Sequence, residues 1–242
     1  TLAAIALGPE AVHGICMPSR YSSSGSLDDA RDLAARLGMV HLHEIGIEPI
    51  HEALRRSLKP AVGEVVGITD ENLQARARGV LVMGLANAQG LLPLATGNKS
   101  ELAVGYSTLY GDMAGGFDVL KDVPKTLVFR LARYRNTLSP VIPERVITRP
   151  PSAELAPGQK DEDSLPSYDI LDRILNLYVE RDFSAEAIIA EGFERKDVER
   201  VIRLVDVNEY KRRQAPIGVR ITERGFGKDR RYPITNGWKS GK

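Results

Sequence analysis

Short apolar runs alternate with helical patterns through the first half of this 242-residue chain, and this alternation constrains the fold most. Residues 12–17 and 40–45 have the composition of strands, and residues 27–37 between them carry apolar side chains at helical spacing. Strands and helices that alternate in this way are typical of βαβ units with a parallel sheet. The sequence therefore predicts an α/β fold with a doubly wound, mostly parallel sheet.

The same alternation continues further along the chain. Pro49 begins a helix, residues 70–87 form a longer helix, and residues 90–96 form a buried strand. Ser26 and Asp29 have the spacing of a capping box, which predicts a helix start directly after a serine-rich turn. A polar loop is therefore expected between the first predicted strand and the helix that follows it.

The second half of the chain starts with a polar segment that contains six prolines, residues 140–166, named here the proline-rich segment. These prolines predict an ordered or closing loop. Residues 168–181 and 198–205 then carry apolar side chains at helical spacing. We expect residues 1–150 to form the α/β core, and residues 151–242 to form the closing loop, a helical carboxyl-terminal part and a basic tail of the same domain.

Charge and cysteine content argue against several classes of protein. Lys and Arg total 33 and Asp and Glu total 32, a formal net charge of +1, so no general field attracts nucleic acid or an anionic membrane. No apolar run is long enough to span a membrane. The single cysteine, Cys16, cannot form an internal disulfide framework and favours a reducing compartment, so we expect a cytoplasmic protein.

Three side chains with possible metal or nucleophile chemistry have simpler structural explanations. His41 and His43 lie on one face of a predicted strand, but no third ligand of a suitable type is evident nearby. Cys16 lies inside a predicted strand and has the character of a small buried hydrophobic residue. We expect all three to be structural.

The segment T-G-N-K-S-E, residues 96–101, is the most informative motif. It follows a predicted strand, and in open α/β sheets ligands bind outside the carboxyl ends of the strands. Gly97 lets the backbone approach a ligand, the start of the next helix favours an anion, and Glu101 can hold a magnesium ion that bridges to phosphates. The alternative is that these residues form only a turn and a helix cap.

A family resemblance extends over nearly the whole chain. The segment L-A-T-G-N-K-S-E-L-A-V-G-Y-S-T-L-Y-G-D-M-A-G-G-F, residues 94–117, resembles the NAD synthetase family, in particular its glutamine-dependent members. Six further blocks agree in the same order: M-P-S-R-Y-S-S-S-G-S, E-N-L-Q-A-R-A-R-G, K-D-V-P-K-T-L-V, P-P-S-A-E-L-A-P-G-Q-K-D-E-D-S-L-P, E-Y-K-R-R-Q and R-R-Y-P-I-T-N. Ordered blocks of this length are far more specific than a single glycine-rich loop.

The resemblance implies both a fold and a reaction. The implied fold is that of the adenine-nucleotide alpha-hydrolases, or ATP pyrophosphatases, with a helical carboxyl-terminal part. The implied reaction is the ATP-dependent amidation of deamido-NAD to NAD through an adenylated nicotinate, with ATP and magnesium as cofactors. A glutaminase domain of the parent chain would supply ammonia from glutamine. The resemblance thus implies a carbon–nitrogen ligase, and at least a homodimer, since family members pair through this core.

The resemblance also implies roles for individual residues, none of them certain to be catalytic. The implied ATP contacts are Thr96, Lys125 and Ser152. The implied deamido-NAD contacts are Asn72, Arg76, Glu101, Asp112, Asp118 and Lys211, and Glu101 also holds magnesium. The i, i+4 spacing of Asn72 and Arg76 puts both on one helix face, which supports a shared ligand. The alternatives are solvated surface groups for Asn72, Arg76 and Lys211, and turn formation for the two aspartates.

Two parts of the family pattern do not occur in this sequence. The loop S-G-G-x-D-S, which ends the first strand of the family sheet, is absent, and so is the glutaminase domain. We therefore expect this polypeptide alone neither to adenylate deamido-NAD nor to hydrolyse glutamine, whereas the intact protein does both. Two other interpretations stay open: a non-catalytic subunit of such a synthetase, and another ATP pyrophosphatase amidotransferase such as a GMP synthetase. The E-N-L-Q-A-R and P-P-S-A-E-L blocks argue against the GMP synthetase.

Overall fold

The structure, a computed structural model, describes residues 1–238, so the last four residues of the predicted basic tail, 239–242, lie outside the described residues. It contains two compact units, each built from two stretches of chain. Unit 1 comprises Thr1–Arg78 and Phe129–Ser164, and unit 2 comprises Gly79–Val128 and the residues from Leu165 onward. The predicted boundary at residue 150 lies inside unit 1, and a division of the chain at that point stays a prediction.

The helices, in chain order, are α1 (Leu2–Leu7), α2 (Ser24–Leu37), α3 (Glu48–Val62), α4 (Ile68–Gln89), α5 (Lys99–Val104), α6 (Lys125–Leu138), α7 (Glu144–Thr148), α8 (Tyr168–Leu175), α9 (Ala185–Ala190), α10 (Arg195–Val207) and α11 (Glu209–Arg212). The strands are β1 (His13–Cys16), β2 (His41–Glu44), β3 (Leu94–Ala95) and β4 (Phe117–Asp118). Short 3₁₀ turns lie at Pro9–Ala11 and Asp161–Asp163, and a π-helical turn, Asn176–Glu180, follows α8.

The strands of unit 1 form the predicted βαβ arrangement. β1 and β2 pair in parallel over all four residues, and α2 connects them. Pro49 lies in the first turn of α3, and α4 covers the whole of the predicted helix 70–87. The sequence therefore predicted these elements correctly, from apolar spacing and, for α3, from the position of Pro49.

The start of α2 differs from its predicted position. The capping box of Ser26 and Asp29 is wrong, because α2 begins at Ser24 and Ser23 is its N-cap. The Ser23 side chain accepts a hydrogen bond from Ser26 N at 3.1 Å, which satisfies one of the free N–H groups at the helix start. Each serine of this run is a suitable cap, so only the backbone conformation decides which one is used.

The strands of unit 2 are short. β3 and β4 pair in parallel, but β3 contains only two residues of the predicted strand 90–96. Pro93 has no N–H to donate to a neighbouring strand. Leu91 N donates instead to Ala86 O at the end of α4, at 2.9 Å. Of the strand expected here, only Leu94 and Ala95 therefore pair in a sheet, and the residues before them connect the end of α4 to β3.

The core of unit 2 lies between α8, α9 and α10. These helices contribute completely buried apolar side chains that include Leu171, Ile174, Ile188, Val198 and Val201. They repeat at the three- and four-residue spacing that predicted helices at 168–181 and 198–205. The helical carboxyl-terminal part is confirmed, although α8 gives way to the π-helical turn after residue 175.

Two isoleucines one helical turn apart on α8 test this core. Ile174 is completely buried, whereas Ile170 is 37% exposed. We expect Ile174→Ala to lower the free energy of unfolding by ~2–5 kcal/mol, because it leaves a cavity in the core. The same replacement at Ile170 should lower it by less than ~1 kcal/mol. Urea unfolding of both variants measures the difference, and equal losses would contradict the difference in burial between the two side chains.

Candidate functional site

Unit 2 contains a small cavity around which three carboxylates gather. Glu101, Asp112 and Asp118 line it, together with Gly97 and Tyr106. The three carboxylates come from α5, from the loop after α5 and from β4. A Cβ atom built at Gly97 would lie 3.4 Å from Asp118 Oδ2, an ordinary van der Waals distance, so the segment before α5 lies directly beside Asp118. Three predicted ligand contacts, which lie between residues 101 and 118, therefore share one site.

The start of α5 fixes the position of Glu101. Asn98 is the N-cap, and its Oδ1 accepts a hydrogen bond from Glu101 N at 3.1 Å. Glu101 Oε2 in turn accepts from Asn98 N at 3.3 Å, which completes a capping box. The T-G-N-K-S-E motif is thus a helix cap, as the alternative interpretation held, and the cap itself directs Glu101 to the cavity.

Lys125 lies next to this carboxylate. Its Nζ donates to Glu101 Oε1 at 2.7 Å, and both side chains are less than a fifth exposed. Lys125 Nζ also lies 5.3 Å from the centre of the Tyr168 ring. The structure therefore brings together Glu101 and Lys125, which were predicted from separate sequence blocks.

The pKa of the Asp118 carboxyl is well above its usual range. Asp118 is only 1% exposed, and burial raises its pKa to about 6, although a hydrogen bond from Leu120 N and the charge of Lys121 oppose the increase. Asp112 keeps part of its side chain exposed, and its Oδ1 accepts from Thr108 N at 2.6 Å. Desolvation of the Asp112 carboxyl raises its pKa, although the hydrogen bond from Thr108 N opposes the increase. The cavity therefore disfavours negative charge unless a cation offsets it.

Lys211 reaches the loop beside the cavity. Its Nζ donates to Gly105 O at 2.6 Å and to Ser107 O at 2.7 Å, just beyond the end of α5. Burial lowers the pKa of Lys211, while the charge of Asp112 opposes this. The neighbouring Arg212 is buried and donates to Ala103 O and to Glu209, so its guanidinium is part of the core of unit 2.

The remaining predicted contacts are distributed between the two units. Thr96 follows β3 in unit 2 and is exposed. Asn72 and Arg76 lie on α4 within unit 1, both half-buried. Ser152 also belongs to unit 1, where its hydroxyl donates to Gln159 O and accepts from Glu154 N at 3.1 Å. The ligand roles of all these residues stay predictions.

Sequence reasoning missed Asp172 on α8. Its Oδ2 accepts from Thr126 N at 2.9 Å and from Thr126 Oγ1 at 2.7 Å, at the start of α6. Its Oδ1 accepts from Ser100 Oγ in α5. A carboxylate beside the apolar residues of a predicted core helix was the available signal, but nothing in the sequence indicated its partners.

Three of the four histidines of unit 1, His13, His41 and His43, stack rather than surround a common point. The His13 and His41 rings lie 4.0 Å apart between centroids, and His13 Nδ1 lies 3.3 Å from His43 Nε2. Residues 1–238 contain no group of three or more His, Cys, Asp or Glu side chains that could hold a metal ion.

Cys16 is half-buried, and burial raises the pKa of its thiol, which lowers its reactivity. Among residues 1–238, no helix is both long and apolar enough to cross a membrane.

Comparisons with known proteins agree with the resemblance. The family model described as NAD synthase matches residues 1–215. The glutamine-dependent NAD(+) synthetase of Acinetobacter baylyi is 61% identical over 241 residues, which are 98% of this chain and 44% of that relative. The chain therefore spans less than half the length of this curated relative.

Two solved structures extend the comparison to the fold. A glutamine-dependent NAD+ synthetase from Acinetobacter baumannii in complex with ADP is 53% identical, with a TM-score of 0.60, over 100% of this chain and 43% of that one. An NH3-dependent NAD synthetase from Campylobacter jejuni is 25% identical, with a TM-score of 0.66, over 87% of this chain and 78% of that one. The predicted α/β fold of the ATP pyrophosphatase type is confirmed.

The raised pKa of Asp118 predicts a pH dependence of stability. The folded state keeps this proton up to about pH 6, whereas an unfolded Asp loses it near pH 4. The free energy of unfolding should therefore fall as the pH rises from about 4 to 6, by on the order of 2–3 kcal/mol. Asp118→Asn should remove this part of the slope, and Asp169→Asn, at an exposed position of α8, should retain it. Urea unfolding at intervals from pH 4 to 7 checks the prediction, and parallel curves for Asp118→Asn and the unsubstituted protein would refute it.

Proposed function

Because this chain belongs to the NAD synthase family, whose model matches residues 1–215, we propose that it carries the ATP-using site for the amidation of deamido-NAD to NAD. The observation that supports this proposal most is the shared cavity of Glu101, Asp112 and Asp118 in unit 2. In the intact protein, a glutaminase domain supplies the ammonia, as expected of a glutamine-dependent member of the family.

The reaction needs a site that tolerates growing negative charge. The nicotinate carboxylate is inert to ammonia until one of its oxygens becomes a leaving group. That oxygen attacks the α-phosphorus of ATP, and pyrophosphate leaves with the electron pair of the broken P–O bond. Ammonia then attacks the carbonyl carbon, AMP leaves with the carboxylate oxygen, and the nitrogen loses a proton to give the amide. Cationic groups must therefore face the departing phosphates.

The Glu101–Lys125 pair is suited to this task. Lys125 is a largely buried cation paired with Glu101, which lines the cavity, and we assign it to the phosphates of ATP. Magnesium commonly takes one or two protein carboxylates and completes its shell with phosphate oxygens and water. Glu101 fits that pattern, and a magnesium ion held by it would offset charge on pyrophosphate. Release of Glu101 from Lys125 would leave Nζ available to a phosphate oxygen.

We assign the other contacts as the family resemblance implies. Thr96 and Ser152 contact ATP, and Asn72, Arg76 and Lys211 contact deamido-NAD together with Glu101, Asp112 and Asp118. Lys211 also supports the loop at residues 105–107 through its two hydrogen bonds to backbone oxygens. Loss of Lys211 would therefore affect both a ligand contact and the shape of the cavity.

We further propose that the protein is cytoplasmic and at least a homodimer. The single cysteine is compatible with a reducing compartment. Leu131, Tyr134 and Leu138 leave an exposed apolar stripe on α6 in unit 1. Apolar stripes of this kind are common at interfaces between identical subunits.

ATP–pyrophosphate exchange that depends on deamido-NAD tests the proposed activity. The natural protein at its full length should catalyse exchange, and Glu101→Gln and Lys125→Met should each slow it by about 10²-fold or more, because transition-state charge loses its partner. Glu191→Gln, at an exposed position, should leave the rate unchanged. Full activity in Glu101→Gln would disprove the assigned role of that residue.

The same assay separates the rival functions. Exchange that depends on XMP rather than on deamido-NAD would identify a GMP synthetase, and no exchange with either acceptor would favour a non-catalytic subunit. Measuring the 242-residue chain in parallel tests the expectation that it is inactive by itself. Amidation with ammonia and with glutamine as separate nitrogen sources tests the glutaminase domain of the full-length protein.

A further inference from the structure

Helix α4 has two different sides along its first turns. Asn72 and Arg76 share one side. Gln74 is two residues from each of them, which at about 100° per residue places it on the opposite side of the helix. The Gln74 side chain is completely buried, at 0% exposure. The side opposite the predicted deamido-NAD contacts therefore carries a buried amide.

Gln74 contacts the proline-rich segment within unit 1. Its Nε2 donates a hydrogen bond to Leu155 O at 2.9 Å. Its Oε1 has no hydrogen-bond partner among residues 1–238, and a buried carbonyl oxygen without a partner is destabilising. An apolar side chain of similar size would fill this space without that cost. The contribution of Gln74 is therefore the position that it imposes on Leu155.

Gln159 provides a second connection between the same two elements. Its Oε1 accepts from Leu155 N at 3.0 Å, and its Nε2 donates to Glu71 Oε2 on α4 at 3.4 Å. Both backbone polar groups of Leu155 are therefore held, one by Gln74 directly and one through Gln159. The first turns of α4 thus determine where this part of the proline-rich segment lies.

The same network reaches Ser152. Its hydroxyl donates to the backbone oxygen of Gln159 and accepts from Glu154 N. The predicted ATP contact is therefore positioned by Gln159, which is itself connected to Glu71 and Leu155. A displacement of α4 would move Ser152 through these hydrogen bonds.

We propose that Gln74 is a positioning residue that couples the binding of deamido-NAD to the binding of ATP. It connects the helix that carries Asn72 and Arg76 to the segment that carries Ser152. This inference rests on the proposed function, because it needs both ligands to bind. Since coupling is reciprocal, each ligand tightens the binding of the other by the same factor.

Calorimetric titration of the full-length natural protein tests this coupling. The probe is an ATP analogue with a methylene group between the α and β phosphates, titrated with and without saturating deamido-NAD. We expect deamido-NAD to lower the Kd of the analogue by about fivefold or more. In Gln74→Met this ratio falls to near one, although each ligand still binds alone. Gln89→Met makes the same replacement at an exposed position of α4 and retains the ratio.

Each other outcome of the titration counts against a specific claim. An unchanged ratio in Gln74→Met overturns the inference, and so does an unsubstituted protein that binds both ligands without coupling. An unsubstituted protein that binds neither ligand overturns the proposed function and this inference with it. If Gln74→Met fails to fold, Gln159→Met removes the second connection from a half-buried position and should also reduce the ratio.

Amide hydrogen exchange in the ligand-free protein gives an independent readout. In Gln74→Met, the amides of residues 152–161 should exchange about tenfold faster or more, because the segment opens without its connection to α4. The amides of α10 in unit 2 should be unaffected and report on global stability. Unchanged protection of residues 152–161 in a folded Gln74→Met variant contradicts the proposed role.

Discussion

The geometry of the carboxylate cavity depends on one acceptor, the side chain of Asp172. It binds the start of α6 through Thr126 and the start of α5 through Ser100. Ser100 Oγ also accepts from Lys125 N at 2.8 Å. The first turn of a helix has N–H groups without a partner inside the helix, and these bonds satisfy some of them. The N–H groups at a helix start also favour a nearby negative charge, here that of Asp172. These hydrogen bonds hold the two helix starts at the separation that lets Lys125 reach Glu101.

A buried lysine of the same region has protein partners for its charge. Lys99 lies in the same motif as Glu101, yet it is only 3% exposed and pairs with Glu180 at 3.0 Å and with Asp122 at 3.1 Å. Burial tends to raise the pKa of Asp122, but hydrogen bonds from Thr222 and Ile221 outweigh this and lower it. The lowered pKa keeps Asp122 charged, and its hydrogen bonds anchor the chain near residues 221–222. A buried lysine is tolerated there because its charge and its hydrogen-bond donors are satisfied.

Local sequence patterns predicted much of the fold, because the spacing of apolar residues along the chain does not depend on distant residues. The apolar spacing predicted α4, α8 and α10, since a buried helix face repeats at three and four residues whatever it packs against. Positions that depend on backbone detail were less predictable. The N-cap of α2 is Ser23 rather than Ser26, and β3 is short because Pro93 and the end of α4 interrupt it. Which of several equivalent neighbouring residues caps a helix therefore depends on the surrounding structure.

The sequence by itself determined the alternating α/β architecture, the family, and the residue types at the site, because these depend on local composition and on ordered blocks. Only the tertiary structure decided which charged groups meet. It paired Glu101 with Lys125, buried Asp118, and assigned Lys99 to the core, although Lys99 and Glu101 are two residues apart. It also joined Gln74 to Leu155, 81 residues further along the chain. Burial and hydrogen-bond partners come from segments distant in the sequence, and so they follow from packing rather than from any local pattern.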